Sequence, residues 1–156
     1  MQRTGRQRGG AIVEAALLSI WVLFTFIGVL DVGFYVYAAI ATQSAARAAA
    51  MATSADPTLG AAQYQLLACA AAKTELDRVP NYTAFPSACD AMPLTVTQTM
   101  KAKSACPDYD TANPAAGEAC SQVAVTYQTI QLFPIPGVLP GKITLTRIAS
   151  MRFNAP

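Results

Sequence analysis

The sequence predicts an α+β protein in which one long N-terminal helix crosses a membrane and carries a small head with a short helix and an antiparallel sheet. Near the N-terminus, sixteen consecutive residues carry no charge. Charged residues make up only 13% of the 156 residues, about half the ~25% of an ordinary soluble domain. The C-terminal third is rich in threonine, valine and isoleucine, which favour strands. This length suits one folded unit and an anchor, because a domain usually has ~100 to 200 residues.

The membrane segment is the uncharged sequence AALLSIWVLFTFIGVL at residues 15–30, between Glu14 and Asp31. These two acids are 17 positions apart. That separation corresponds to about 26 Å of helix, close to the ~30 Å thickness of the hydrocarbon core. Basic residues mark the cytoplasmic end of a span, and aromatic residues mark its interfaces. The basic residues are Arg3, Arg6 and Arg8, and the aromatic ones are Phe34, Tyr35 and Tyr37. We therefore expect one span with the N-terminus in the cytoplasm.

Two other interpretations of this segment remain open, a buried core helix of a soluble protein and a cleaved signal peptide. A core helix is usually shorter and has no reason to collect the nearby positive charge at one end. An A-x-A pattern occurs at residues 39–41, but it lies well beyond the apolar segment, unlike an ordinary cleavage site. A membrane span fits the pattern better than either alternative.

The helix should continue beyond the membrane to about Ser54. The sequence AAIATQSAARAAAMATSA is rich in strong helix formers, and no Gly or Pro interrupts it before Pro57. Its alanines are explained by helix propensity, and small side chains also let another helix approach closely. We place the boundary between helix and head near Asp56.

Residues 8–14 form a motif when they are taken together. Arg8 and Gly9 are followed by Gly10-Ala11-Ile12-Val13-Glu14 and the apolar helix. This arrangement resembles a type IV prepilin leader, which a membrane peptidase cuts after a glycine, leaving a glutamate fifth in the mature chain. Cleavage after Gly9 makes Glu14 the fifth residue. The resemblance implies cleavage between Gly9 and Gly10 by a prepilin peptidase, and pairing of Glu14 with the new amino terminus of a neighbouring subunit.

More narrowly, the chain resembles the TadE-like family of minor pilins or pseudopilins of the Tad/Flp tight-adherence pilus. G-G-A-I-V-E-A, then Asp31-Val32-Gly33 and Ala45-Ala46-Arg47, follow the order and spacing of the family's G-x-x-x-x-E-F, D-x-G and A-A-R elements. Ala15 stands where the family usually has an aromatic residue. Near the C-terminus, VAVTYQTIQLFPIPGVLPGKITLTRIASMRF is similar to the family's closing strand, Pro-rich turn and T-L-T-x-x-A-x-M-R strand. The resemblance to the family covers about half of the chain.

The resemblance implies a structural subunit of a type IV pilus assembly system that supports pilus biogenesis and adhesion. Its partners would be the membrane, a prepilin peptidase, other pilin-like subunits and proteins of the Tad assembly platform. It would lie in the bacterial inner membrane with a periplasmic or extracellular head, or be incorporated in the pilus. Asp31, Gly33 and Arg47 would be its motif residues at or near the outer interface. The predicted parts are a leader at residues 1–9, the helix at 10–55 and the head at 56–156.

The head is predicted to contain a helix and three strands. Residues 57–78 show apolar side chains three and four positions apart, which predicts a short amphipathic helix. Its expected apolar face consists of Leu59, Ala62, Leu66, Cys69, Ala70 and Leu76. Strands are expected at residues 94–100, 122–132 and 142–153. The last two should pair antiparallel through a broad Pro-rich loop at residues 133–141.

The last predicted strand should be half buried, because its apolar residues alternate with polar ones. The side chains expected on one face are Ile143, Leu145, Ala149, Met151 and Phe153. Arg147 is the one charged residue on that face.

The four cysteines predict disulfides rather than a metal or redox site. Cys69, Cys89, Cys106 and Cys120 never form a C-x-x-C pair, and their even number suits an oxidising compartment. Four buried free thiols are the alternative. Of the three complete pairings, we favour Cys69–Cys89 and Cys106–Cys120, because each joins neighbours around a Pro-containing loop. Each bond would contribute about 3 kcal/mol in the chain-entropy model.

The composition excludes several kinds of chemistry. The chain has no histidine, so it cannot form a Ser-His-Asp or Cys-His relay or an imidazole metal site. Residues 137–142 come near a P-loop but are one residue short and lack its Ser or Thr. Lys and Arg are not clustered as in a nucleic-acid-binding surface. We expect no catalytic residue, metal, cofactor or small-molecule substrate. A signal-anchored binding or sensor protein that keeps Met1 is the alternative function.

Overall fold

A computed structural model describes residues 5–56, 58–106, 119–130 and 142–153, and the described chain is an α+β protein. Two 3-10 turns, Tyr82–Ala84 and Lys103–Ala105, lie in the connections. The helices and strands are α1 Gly5–Ser54, α2 Ala61–Glu75, β1 Asp90–Ala91, β2 Leu94–Lys101, β3 Cys120–Gln128 and β4 Thr144–Arg152. The chain forms two compact units, which divide between Val36 and Tyr37. The predicted fold class is confirmed.

The helix α1 ends where the sequence predicts, at Ser54, and a short turn follows. The Asp56 carboxylate accepts hydrogen bonds from the Thr58 backbone N–H (2.9 Å) and hydroxyl (2.6 Å). These bonds lower the pKa of Asp56, because they favour its charged form. The Tyr64 hydroxyl donates to the Asp56 carbonyl at 2.6 Å and so ties the turn to α2.

The helix α2 exists, and its predicted apolar face is correct only in part, because Cys69 and Leu76 are buried but other members are not. Leu66 is 63% exposed, and Ala62 and Ala70 are also exposed. Tyr64, Ala68 and Ala72, which were not predicted on this face, are buried together with Cys69. A tyrosine buries more apolar area than a leucine, and the disulfide at Cys69 further restricts rotation of the helix. These two constraints outweigh the leucine pattern.

The four strands form an antiparallel sheet in the order β1-β2-β3-β4. In the predicted β3–β4 pair, Gln128 lies opposite Thr144 and Cys120 opposite Arg152. The loop predicted at residues 133–141 lies outside the described residues. The two-residue strand β1 was not predicted, because two residues are too few for an alternating pattern. In β4, Leu145, Ala149 and Met151 pack against the core as predicted.

The core of the head is formed by one face of the sheet and by the two helices. The sheet contributes Leu94, Val96, Val123, Val125 and Tyr127, which are all buried. The helix α2 adds Ala68, Ala72 and Leu76. From α1 come Ala38, Ala45, Ala46, Ala49 and Ala50, each with no exposed surface. Alanine suits these positions, because a small side chain lets a helix lie close to its neighbours.

Candidate assembly surface

The N-terminal part of α1 presents an exposed apolar surface. Every residue from Gly10 to Phe26 is exposed. Trp21 is 74% exposed and Ile12 is 70% exposed. Among the described residues, α1 is the one helix long and apolar enough to cross a membrane. A bulky apolar surface of this kind favours a lipid or protein environment over water.

The two hydroxyl groups within this apolar segment are bonded to their own helix. The Ser19 hydroxyl donates to the Ala16 carbonyl at 2.8 Å, and the Thr25 hydroxyl donates to the Trp21 carbonyl at 2.8 Å. Unsatisfied polar groups are costly in hydrocarbon. The hydroxyl groups of this segment therefore need no partner from lipid or from another helix.

Glu14 lies near the start of this surface, and its side chain is exposed. No described residue forms an ion pair or hydrogen bond with its carboxylate. Gly10 lies four positions earlier in the same helix, about 6 Å along the axis. A Cβ atom placed on Gly10 would meet nothing within 4 Å, so packing inside the described chain does not require glycine there. Gly9 also lies in α1. The cleavage site and the pairing of Glu14 stay predictions.

The three motif residues Asp31, Gly33 and Arg47 are not brought together. Asp31 and Arg47 are 16 positions apart in α1, about 24 Å along its axis. Asp31 is 4% exposed, and its Oδ2 has no hydrogen-bond partner in the described part of the chain. A Cβ on Gly33 would meet nothing within 4 Å. Arg47 is exposed, and none of the described carboxylates pairs with it. Their roles stay predictions.

The structure contains the disulfides Cys69–Cys89 and Cys106–Cys120, the two pairs that the sequence favours. Their Cα–Cα distances are 5.7 Å and 6.0 Å, within the usual range for a disulfide. The first bond joins α2 to the segment before β1. No group of three or more acidic or cysteine residues within the described ranges could hold a metal ion.

A polar contact that sequence reasoning missed joins α1 to the sheet. The hydroxyls of Thr53 and Ser121 lie 2.7 Å apart and are both buried. Gln98 donates a side-chain N–H to the Ser121 hydroxyl at 3.2 Å. A threonine near a helix end usually bonds to its own backbone, which Thr53 also does, so the sequence carries no signal for the second partner.

Asn81 has a structural role that its sequence does not indicate. Its side chain accepts a hydrogen bond from the Tyr127 hydroxyl at 2.7 Å and donates one to the Gln128 carbonyl at 3.0 Å. Burial raises the pKa of Tyr127 to about 12, with a smaller contribution from a negative charge on Tyr37. The pair fixes the loop after α2 to the end of β3.

Among the comparisons with known proteins, one finds a family match, and it lies in the N-terminal segment. The family model of TadE-like protein matches residues 9–51, which include Glu14 and all three motif residues. No curated protein and no solved structure matches the chain. The match ends before the head, so the resemblance of the C-terminal strands stays a prediction. The match over residues 9–51 thus confirms the predicted similarity to the TadE-like family in this segment.

Proposed function

We propose that this chain is a minor pilin-like, or pseudopilin, subunit of a Tad/Flp-type pilus assembly system and works by associating with other subunits. The observation that carries the proposal is that the segment matched to the TadE-like family includes the exposed apolar part of α1, with Glu14 near its start. Such a helix needs lipid before assembly and other helices afterwards. Pilus biogenesis and adhesion are the processes that the subunit would support.

Processing would convert a membrane-anchored precursor into an assembling subunit. In the proposed arrangement, residues 1–9 are a cytoplasmic leader, 10–55 span and leave the inner membrane, and 56–156 form the periplasmic or extracellular head. Cleavage after Gly9 by a prepilin peptidase removes three of the 11 basic residues, leaving eight against nine acidic ones, a net side-chain charge of −1. Positive flanks oppose translocation, so their loss makes the helix easier to extract from the membrane.

Glu14 would supply the attraction between subunits. A carboxylate is costly near hydrocarbon, by ~2.5 to 3.5 kcal/mol at the centre of a span and less toward the interface. Cleavage creates a cationic amino group at Gly10. Pairing of this group with Glu14 of a neighbour offsets the desolvation and sets the axial register of the two helices. Other pilin-like subunits and assembly-platform proteins are the partners that this interaction would recruit.

The mature N-terminus tests the processing step. Mass spectrometry of the protein purified from membranes should find a chain that begins at Gly10. A chain that begins at Met1 would contradict the proposal and favour the alternative, an uncleaved signal-anchored binding or sensor protein.

The Glu14→Gln variant tests the assembly step. Because the amide has the same length without the charge, we expect normal membrane levels but defective pili and reduced co-purification with pilus components. Glu75→Gln is the matched control, since Glu75 is exposed at the end of α2. Electron microscopy of the cells counts the pili. Wild-type pili in the Glu14→Gln strain would show that Glu14 is only an interfacial acid.

A further inference from the structure

The two edges of the sheet differ. At the edge beyond β2, the outward backbone groups of β2 already have hydrogen-bond partners, so another strand cannot pair there. The Val96 N–H donates to the Cys89 carbonyl at 2.9 Å. The side-chain amide of Gln65 donates to the Val96 carbonyl and accepts from the Gln98 N–H. An amide placed this way makes the hydrogen bonds that a neighbouring strand would make. The helix α2 thus covers this edge, a common way in which proteins prevent unwanted strand pairing.

At the β4 end of the sheet, the described residues leave the edge open. The Thr129 N–H bonds to the Ile143 carbonyl at 2.9 Å, and the Phe153 N–H bonds to the Ala119 carbonyl at 3.2 Å. Antiparallel ladders alternate, so odd-numbered residues of β4 direct their backbone groups toward β3. The even-numbered residues direct theirs outward. These are Thr144, Thr146, Ile148, Ser150 and Arg152.

From Thr144 to Ser150, these outward groups lack a strand partner in the described chain. The one hydrogen bond to them comes from the side chain of Arg147, which donates to the Thr146 carbonyl at 3.3 Å. Ile148, at the middle of the edge, is 57% exposed. A nine-residue edge with an exposed isoleucine is long for an edge that no other described strand or helix covers.

The side chains of β4 define what could pair with it. On the core side of the sheet, Leu145 and Met151 are only partly buried, so an added strand could extend this apolar layer. Arg147 lies between them in sequence and is exposed. It forms no ion pair with any described carboxylate. An acidic side chain opposite Arg147 would therefore find an available cation.

A second copy of β4 fits this edge poorly. Antiparallel pairing centred at Ile148 pairs all nine residues of both strands and places the two Arg147 side chains diagonally opposite each other on one face. Pairing centred at Arg147 places them directly opposite each other. Like charges at these positions are destabilising. An acidic strand from a different protein avoids this repulsion.

We infer that the open edge of β4 binds an extended segment of a partner protein, with alternating apolar and polar residues and an acidic residue beside Arg147. The backbone of the segment would pair with the outward groups of Thr146, Ile148 and Ser150. Its apolar side chains would continue the layer of Leu145 and Met151. This interaction does not depend on cleavage of the leader or on Glu14, so it can fail while the proposed pilin function stands.

A peptide tests the inference. The probe is a blocked nine-residue peptide, as long as β4, that alternates valine and threonine and has a glutamate at its centre. It is added at about 1 mM to the full chain in detergent micelles, and amide hydrogen exchange is measured residue by residue. We expect about tenfold slower exchange at Thr146, Ile148 and Ser150. The amides of Arg147 and Ala149 should not change, because they already bond to β3.

Charge and backbone controls make the result specific. A peptide with lysine at its centre should protect these amides less, and Arg147→Glu should reverse the preference. Ser150→Pro removes an outward N–H, so the head should fold and lose peptide protection. Ala149→Pro removes a bond to β3 and should destabilise the head instead.

Three outcomes would overturn the inference. Exchange at the outward amides could stay unchanged with the glutamate peptide. Both peptides could protect them equally. The chain alone could protect them as its own concentration rises, which would make a second copy the occupant.

Discussion

The two parts of α1 belong to one continuous helix but differ in what surrounds them. Residues 10–36 carry bulky apolar side chains, and most of these are exposed. Residues 37–54 are rich in alanine, and five of these alanines have no exposed surface. The first part has no described partner that covers it, whereas the second part belongs to the core of the head. One helix is thus adapted to two environments.

This contrast shows how side-chain size reports the environment of a helix. In lipid, large side chains remove apolar area from water, and the fluid lipid tails adapt to their shape. Against a sheet, a helix needs small side chains to pack closely, and additional volume creates strain. The first three predictions below change one part of α1 at a time, and each should leave the property of the other part intact.

The largest effect is expected for a charge in the first part. Leu23→Arg places a guanidinium near the centre of the apolar segment, at a cost of about 2.5 to 3.5 kcal/mol on insertion scales. We expect loss of protein from the carbonate-resistant membrane fraction. Gln43→Arg, in the second part, should leave membrane insertion unchanged. Equal insertion of both variants would contradict a membrane role for residues 10–36.

The next effect is expected from added volume in the second part. Ala46 has no exposed surface, so Ala46→Leu should destabilise the head by about 1 to 3 kcal/mol through overpacking. Ser44→Leu is the matched control, because Ser44 is exposed. Denaturant unfolding of both variants in micelles measures the difference. If the two variants were equally stable, the alanine face would not be part of the core.

A smaller effect is expected from one hydrogen bond. Thr53→Val keeps the shape of the side chain and removes its bond to Ser121, which should cost the head about 1 kcal/mol. Thr42→Val is the control, because the Thr42 hydroxyl bonds to the Ala38 carbonyl of its own helix. The same unfolding measurement applies. A larger loss for Thr42→Val would show that the contact between α1 and β3 adds little.

The last prediction concerns the stability of the head in alkali, which depends on Tyr127. Its pKa is raised to about 12, so the folded head favours the neutral phenol. The resulting stability is present below about pH 10, the pKa of an unfolded tyrosine, and is lost as the pH rises toward about 12. Tyr127→Phe should weaken this alkaline loss, while membrane insertion stays constant across the range. Identical pH dependence in both proteins would exclude Tyr127 as the cause.

The features that depend on local patterns can be predicted from the sequence alone. The uncharged segment at residues 15–30 and the alanine-rich segment after it predict a single helix that ends at Ser54, because hydropathy and helix propensity act over neighbouring residues. Alternating residues predict β2, β3 and β4 and the half-buried face of β4. The motif residues in residues 9–51 indicate the TadE-like resemblance. Even the favoured cysteine pairs follow from closeness in sequence.

Which surfaces meet depends on contacts between residues that are far apart in the sequence. Leu66 satisfies the helical pattern of α2 as well as Tyr64 does, and the choice between them depends on what the sheet and the Cys69–Cys89 bond place beside the helix. The same holds for Gln65, which covers the edge of β2, and for Thr53, which bonds to Ser121 across 68 positions. Local propensity carries no information about such distant partners. The open edge of β4 could not be predicted for the same reason, because an edge strand is one that lacks a neighbouring strand on one side.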